Sequence, residues 1–145
     1  MKKTQKIYYL ASPYTHKDES VKKQRARAVT KAAVDLLKLG VYTFAPIAYN
    51  EPWERHELPG DWGFWCDFDK AFVERCDGGL IVLTLDGWDK SVGVTAEIEF
   101  ARELGHPIYY VSEQELENKD LSFFNRPEKI PTKKASGLFC EHSKL

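Results

Sequence analysis

Apolar residues fall in short, nearly unbroken runs separated by stretches of helical period. Ile7 to Ala11 is the first run, stopped by Ser12-Pro13. Val21, Ala28, Val29, Ala32, Ala33, Leu36 and Leu37 follow at helical spacing, which predicts a long helix ending near Leu39, with Asp18 or Ser20 as its cap. Gly40 stands where a helix C-terminal glycine belongs. Val41 to Ala45 reads as a second strand stopped by Pro46, and Trp62 to Arg75 resumes helical spacing. Gly79 to Leu85 reads as a third strand, Val94 to Leu104 as a third helix closed by Gly105, and Pro107 to Val111 as a fourth strand. Ile47 to Asp61 holds Pro52, Pro59 and Gly60 and no clear period, so it reads as a long loop. Loops of that length in compact domains often carry function.

Strands alternating with helices mean βαβ units and a parallel sheet. The strands are apolar on successive residues, as strands covered on both faces require. With right-handed crossovers, the expected fold is α/β: a Rossmann-like or flavodoxin-like three-layer sandwich with a parallel central sheet. Residues 1–111 make this domain. Residues 112–145 are polar, with Phe123, Phe124, Leu138 and Phe139 as isolated apolar points. They are expected to be a C-terminal extension packed on the domain or on an oligomer partner.

A chain of 145 residues suffices for one domain with a sizeable core. The formal net charge is −1, so bulk electrostatics point to neither a nucleic-acid polymer nor a membrane as partner. No apolar run approaches the ~20 residues that span a bilayer. The N-terminal apolar stretch is too short and strand-like for a signal peptide, and a cytoplasmic location is expected. Cys66, Cys76 and Cys140 lack metal-ligand spacing, so reduced cysteines and no metal site are expected.

Ligands of parallel sheets bind at the carboxyl ends of the strands. The segment Gly87 to Val111 is the most specific at those ends, placing Glu97 about one turn into a helix behind a Ser91-Val92-Gly93 turn. Near a helix N-terminus the macrodipole favours an ionised carboxylate. Such a group can attack an electrophilic carbon or stabilise an oxocarbenium-like centre, or it can simply stabilise the helix. Tyr9, near the end of the first strand, either packs in the core or hydrogen-bonds that carboxylate and keeps it ionised. Asp69 lies eight residues before Asp77 at the third-strand entrance. Asp69 either faces solvent or accepts hydrogen bonds from sugar hydroxyls, and Asp77 caps or makes a turn. Ser91 and the free amides beside Gly93 either cap a helix or hold an anion such as phosphate. Trp53, His56, Trp62, Trp65 and Trp88 either wall a pocket for a flat ring or pack a dimer interface. His16, His106 and His142 have no evident partner, and Ser12 lacks the surroundings of a serine-hydrolase nucleophile.

Tyr9-Leu10-Ala11-Ser12-Pro13-Tyr14 and the segment GWDKSVGVTAEIEFA at Gly87 to Ala101 together resemble the nucleoside 2-deoxyribosyltransferase-like superfamily, and within it a phage and bacterial family of unknown function. The resemblance covers roughly residues 6 to 111. It implies Glu97 as nucleophile, Tyr9 as its orienting partner and Asp69 as a contact to sugar or base. It also implies a substrate-binding set of Ser12, Pro13, Trp88, Ser91 and Gly93. Nucleoside transferases of the superfamily tend to have an acidic residue at the place of Ser91. Relatives that hydrolyse nucleoside 5′-monophosphates have serine there, in a pattern like Ser91 to Glu97. Serine donates to a phosphate that a carboxylate would repel, so the expected substrate is a nucleotide, in particular a 2′-deoxynucleoside 5′-monophosphate. The expected activity is N-glycosidic bond cleavage or transfer with no cofactor, in a homodimer or homotetramer. Glu99 departs from the glycine usual in these families. It lies about 200° around the helix from Glu97 and is expected to point away. The alternatives are a non-catalytic nucleotide-binding or sensing module, or an interaction domain whose aromatic loop binds protein.

Overall fold

The computed structural model describes residues 5–129. Cys140, Leu138, Phe139 and His142 lie outside them, as does the end of the expected C-terminal extension. Four strands, β1 (Ile7–Ala11), β2 (Tyr42–Phe44), β3 (Gly79–Leu83) and β4 (Ile108–Val111), form one sheet in the order β2-β1-β3-β4. All pairings are parallel. The longer helices are α1 (Glu19–Lys38), α3 (Trp62–Arg75) and α4 (Val92–Leu104).

Alternation along the strands assigns their side chains to two cores. Tyr9 and Ala11 of β1, with Leu80 and Val82 of β3, face a cluster made with Cys66 and Val73 of α3 and Val94, Ile98 and Phe100 of α4. Leu10, Ile81 and Leu83 face the other way, onto Val29, Ala32 and Leu36 of α1. Each fully buried aliphatic side chain contributes roughly 1.5–3 kcal/mol of transfer free energy. Helices therefore cover both faces of an all-parallel sheet, the α/β sandwich expected from the apolar runs. β1 and β3 lie in the middle, so their carboxyl ends open at the centre of the molecule. The β3–β4 approach is close: Gly79 has φ +105°, and a Cβ there would lie 2.3 Å from the Pro107 carbonyl oxygen.

Several boundaries differ from the expected ones. The stretch read as a loop contains a helix α2 (Pro46–Asn50) and a 3-10 turn at Glu51–His56. Prolines at the first positions of both start these segments rather than breaking them, because proline's missing N–H is unneeded there. Helix α4 begins at Val92, since the Ser91 hydroxyl accepts the Val94 amide at 3.2 Å and caps it. Beyond β4, Ser112 and Glu115 form a reciprocal capping box that starts α5 (Glu113–Glu117). Leu116 of α5 and the following Phe123 fill the α1-side core. The segment after them is tied along β4. The Glu128 amide donates to the Ile108 carbonyl at 2.7 Å, and the Glu128 carboxylate accepts from Arg102 at 2.8 and 2.7 Å.

Cys76 is a free, buried thiol, pushed up to about 11 by burial. Cys66 is disulfide-bonded, which corrects the expectation of three reduced cysteines: an odd count still leaves room for one pair. Among the described residues no helix is long and apolar enough to cross a membrane.

Candidate functional site

Three side chains from distant parts of the chain meet at the carboxyl end of the central strands. Tyr9 is on β1, Asp69 is mid-way along α3, and Glu97 is in the second turn of α4. The Tyr9 hydroxyl donates to Glu97 Oε2, and the Asp69 and Glu97 carboxyl groups hydrogen-bond each other. Tyr9 is 0% exposed, Glu97 4% and Asp69 8%, so water screens none of these contacts.

Burial is the dominant influence on all three. It pushes Asp69 up to about 7. It also raises Glu97 well above the usual carboxylate range, with the Asp69 charge adding to the rise and the Tyr9 hydrogen bond opposing it. Tyr9 is raised well above its ordinary value by burial and then by the charges of Glu97 and Asp69, so it stays a neutral donor. Two touching carboxyl groups out of water cannot both ionise near neutrality, and the pair retains one proton. The bond within the dyad holds Asp69 down and Glu97 up, which favours the proton on Glu97, whereas the buried Tyr9 donor, which bonds Glu97 and not Asp69, is the one contact that favours charge on Glu97 and the proton on Asp69. The expected macrodipole effect is corrected. Glu97 is beyond the first turn, where the terminal field has faded, and burial moves the group in the opposite direction.

The dyad borders an open cleft of about 400 Å³. One wall follows β1 and includes Ser12 and Tyr14. Ser12 is 6% exposed, and its Oγ, like Asp69 Oδ1, has no hydrogen-bond partner among the described residues. A second wall follows β2, with Asn50, Glu51 and Glu54 from the segment expected to be a loop. The third follows β3 and brings Lys90, Ser91 and Gly93 at the start of α4. The Val92 and Gly93 amides open that helix and have no intrahelical acceptor, so the cap, the amides and Lys90 make one end of the cleft receptive to an anion. Trp62 and Trp65 line the cleft as well.

Other expected site residues fall differently. Tyr9 stands behind Glu97 rather than on the cleft wall, and Pro13 is not on it either, although its neighbours Ser12 and Tyr14 are. Trp88 is also off the wall: its ring packs 5.3 Å from that of Tyr110, so packing and not ligand contact accounts for it. Gly93 lines the cleft, and a Cβ there would lie 3.4 Å from the Trp62 ring, an ordinary contact, so packing does not demand the glycine. Glu99 is turned away as expected, accepting from Arg102. Asp77 lies in the turn before β3, but its carboxylate does not serve that turn: it accepts the Ile7 amide at 2.9 Å and ties the turn to the start of β1. His16 accepts the Asp18 amide at 2.9 Å, while the rings of Trp53 and Tyr49 pack 5.1 Å apart. His56 is exposed and off the cleft wall.

Sequence reasoning missed two groups. Arg25 of α1 donates to the Thr15 and Asp86 carbonyls at 2.9 and 3.0 Å, joining the β1 and β3 loops. Its approach is permitted by Gly87, φ +85°, where a Cβ would lie 2.8 Å from the guanidinium. Glu54 accepts from the Tyr14 hydroxyl and pairs with Lys22 at 3.1 Å. The spacing of four between Asn50 and Glu54 was the available signal, hidden by the prolines around it. Among the described residues no group of three or more His, Cys, Asp or Glu is arranged to hold a metal ion.

No curated protein matches the chain. Residues 6–113 match a family described as a domain of unknown function, DUF1937. That span contains all four strands and every residue of the cleft. The protein thus belongs to the DUF1937 family.

Proposed function

We propose that the protein cleaves or transfers the N-glycosidic bond of a nucleoside 5′-monophosphate, in particular a 2′-deoxynucleotide, with Glu97 as nucleophile. The observation that carries this reading is the hydrogen-bonded set Tyr9–Glu97–Asp69 beside a cleft whose far wall is the start of α4. The resemblance of the Tyr9 to Tyr14 and Gly87 to Ala101 segments to nucleoside 2-deoxyribosyltransferase-like proteins supports it.

Glu97 attacks the anomeric carbon as the carbon–nitrogen bond breaks and its electron pair leaves with the base. The proton shared by the dyad sits on Asp69 and passes to the departing base. The product is a glycosyl ester of Glu97. Water then attacks the anomeric carbon, freeing the Glu97 carboxylate and returning a proton to Asp69; in a transferase a second base takes the place of water. The absent 2′-hydroxyl of a deoxyribose eases positive charge at the anomeric carbon. The phosphate lies against Lys90, the Ser91 hydroxyl and the first amides of α4. In this reading the protein acts as a homodimer or homotetramer and needs no cofactor.

A second reading is favoured by the burial of Glu97, which raises the energy of its charged form: a nucleotide-binding or sensing module without turnover. Chromatography of a panel of nucleosides and 5′-monophosphates separates the two. Free base from at least one monophosphate is expected, and Ser91→Asp should move the preference towards nucleosides. No free base from any member overturns the glycosidase reading. An unchanged preference in Ser91→Asp overturns the phosphate assignment.

A further inference from the structure

The β2 side of the cleft carries acceptors that the reaction above does not use. Glu54 lines the cleft, and Tyr14 and Lys22 both bond its Oε1; among the described residues no hydrogen bond engages its Oε2. Lys22 also lies 5.1 Å over the Tyr14 ring, so the three side chains hold one another. Partial burial alone would raise the Glu54 carboxyl, but the hydrogen bonds from Tyr14 and Lys22 outweigh it and hold the group below the usual range. It is therefore a fixed carboxylate that accepts and never donates. Glu51 lines the same wall, and so does Asn50, whose Oδ1 has no hydrogen-bond partner among the described residues. The flat rings of Trp62 and Trp65 line the same cleft.

Sheet order fixes which part of a ligand meets this wall. β1, with Tyr9 beneath Glu97, is central; β3 and the α4 start lie on one side of it and β2 on the other. A nucleotide with its anomeric carbon at Glu97 and its phosphate at Ser91 directs its base towards the β2 side. A base edge that donates hydrogen bonds suits a fixed carboxylate there. A carbonyl oxygen in the same place meets a like-charged lone pair.

We propose that Glu54, fixed by Tyr14 and Lys22, is a specificity-determining residue that selects nucleobases bearing an exocyclic amino group over their oxo counterparts. This rests on the nucleotide reading of the cleft, but not on turnover.

Calorimetric binding to the full chain tests it, using Glu97→Gln to prevent consumption of the ligand. The ligands are two pairs differing at the amino or oxo position, dCMP with dUMP and dAMP with dIMP, and base release by the wild type is measured in parallel. The amino member of each pair should bind about tenfold more tightly or better. In a background that also carries Glu54→Gln the ratio should fall towards one, because an amide both donates and accepts. Equal affinity within each pair overturns the proposal, and it does so without the Glu54 variant should that variant fail to fold. A preference that survives Glu54→Gln overturns the assignment to this residue. Selective binding with no base release by the wild type upholds the specificity and overturns the glycosidase reading. Base release without selectivity does the reverse, and absence of binding by all four nucleotides overturns both.

Discussion

The Tyr9 hydroxyl and the Glu97 carboxylate are hydrogen-bonded in the interior although 88 residues separate them in the chain. The bond joins the central strand to the helix after β3, and it directs a neutral donor at the group that carries charge in the proposed reaction. Tyr9→Phe removes that donor while keeping the ring. A hydrogen bond to a charged group is worth about 1.5–3 kcal/mol, so base release should fall roughly 10- to 100-fold. The measurement is kcat on a 5′-monophosphate, with thermal unfolding confirming that the variant folds.

The Asp69–Glu97 pair ties stability to pH. Asp69 is raised from 3.8 to about 7 in the folded protein, chiefly by burial, so between those values the native state holds a proton that the unfolded chain has released. Its contribution is fully present below about pH 4 and is lost as pH rises through about 7. Asp69→Asn cannot titrate. Melting temperatures at pH 5 and pH 8 should fall less with rising pH in the variant than in the wild type. An equal fall in both would show that Asp69 gains no proton on folding.

Gly93 separates cleft shape from helix stability. An added methyl would sit 3.4 Å from the Trp62 ring, an ordinary contact, at a helical position where alanine is favoured over glycine by up to about 1 kcal/mol. Gly93→Ala should therefore keep or slightly raise the melting temperature while weakening nucleotide binding, because the methyl enters the anion end of the cleft. Loss of stability together with binding would show that the packing there is tighter than described. Gly79→Ala is the contrast: its methyl would lie 2.3 Å from the Pro107 carbonyl at a positive φ, and should destabilise the fold by roughly 3 kcal/mol or more in chemical denaturation.

Arg25 holds two cleft loops through backbone carbonyls and stays off the cleft wall itself. Arg25→Gln should weaken nucleotide binding several-fold with little change in kcat, whereas Arg25→Lys, which keeps the charge and part of the reach, should recover part of the loss. A matching fall in kcat for Arg25→Gln would mean that the loops also position the dyad.

The sheet and the three long helices were legible because their residues repeat with the periods that burial demands. Val29, Ala32 and Leu36 sit at helical spacing on one core, and Leu80 to Leu83 alternate between the two. Legibility failed where one residue type serves opposite purposes. Pro46 and Pro52 read as breakers but stand at segment starts, so the wall carrying Asn50 and Glu54 went unseen. Ser112 and Glu115 are a readable capping box that polarity concealed. Ser91 stands out at the start of its element, whereas Tyr9 and Asp69, mid-way along theirs, carry no positional signal and join the set only as what the resemblance implies. Trp88 was misplaced because nearness in sequence to Ser91 says nothing of which side of the turn a ring takes. No spacing rule announces Arg25 or Tyr14, since their partners are backbone carbonyls and a side chain from elsewhere in the fold.

Glu97→Gln keeps the size of the side chain and its place between Tyr9 and Asp69 but removes the nucleophile. Release of free base from a 2′-deoxynucleoside 5′-monophosphate, followed by chromatography for wild type and Glu97→Gln side by side, tests the central claim most directly. The wild type should release base, and the variant should be slower by at least about a thousandfold. Equal release by the two proteins, or none from the wild type, would contradict a glycosidic reaction through Glu97.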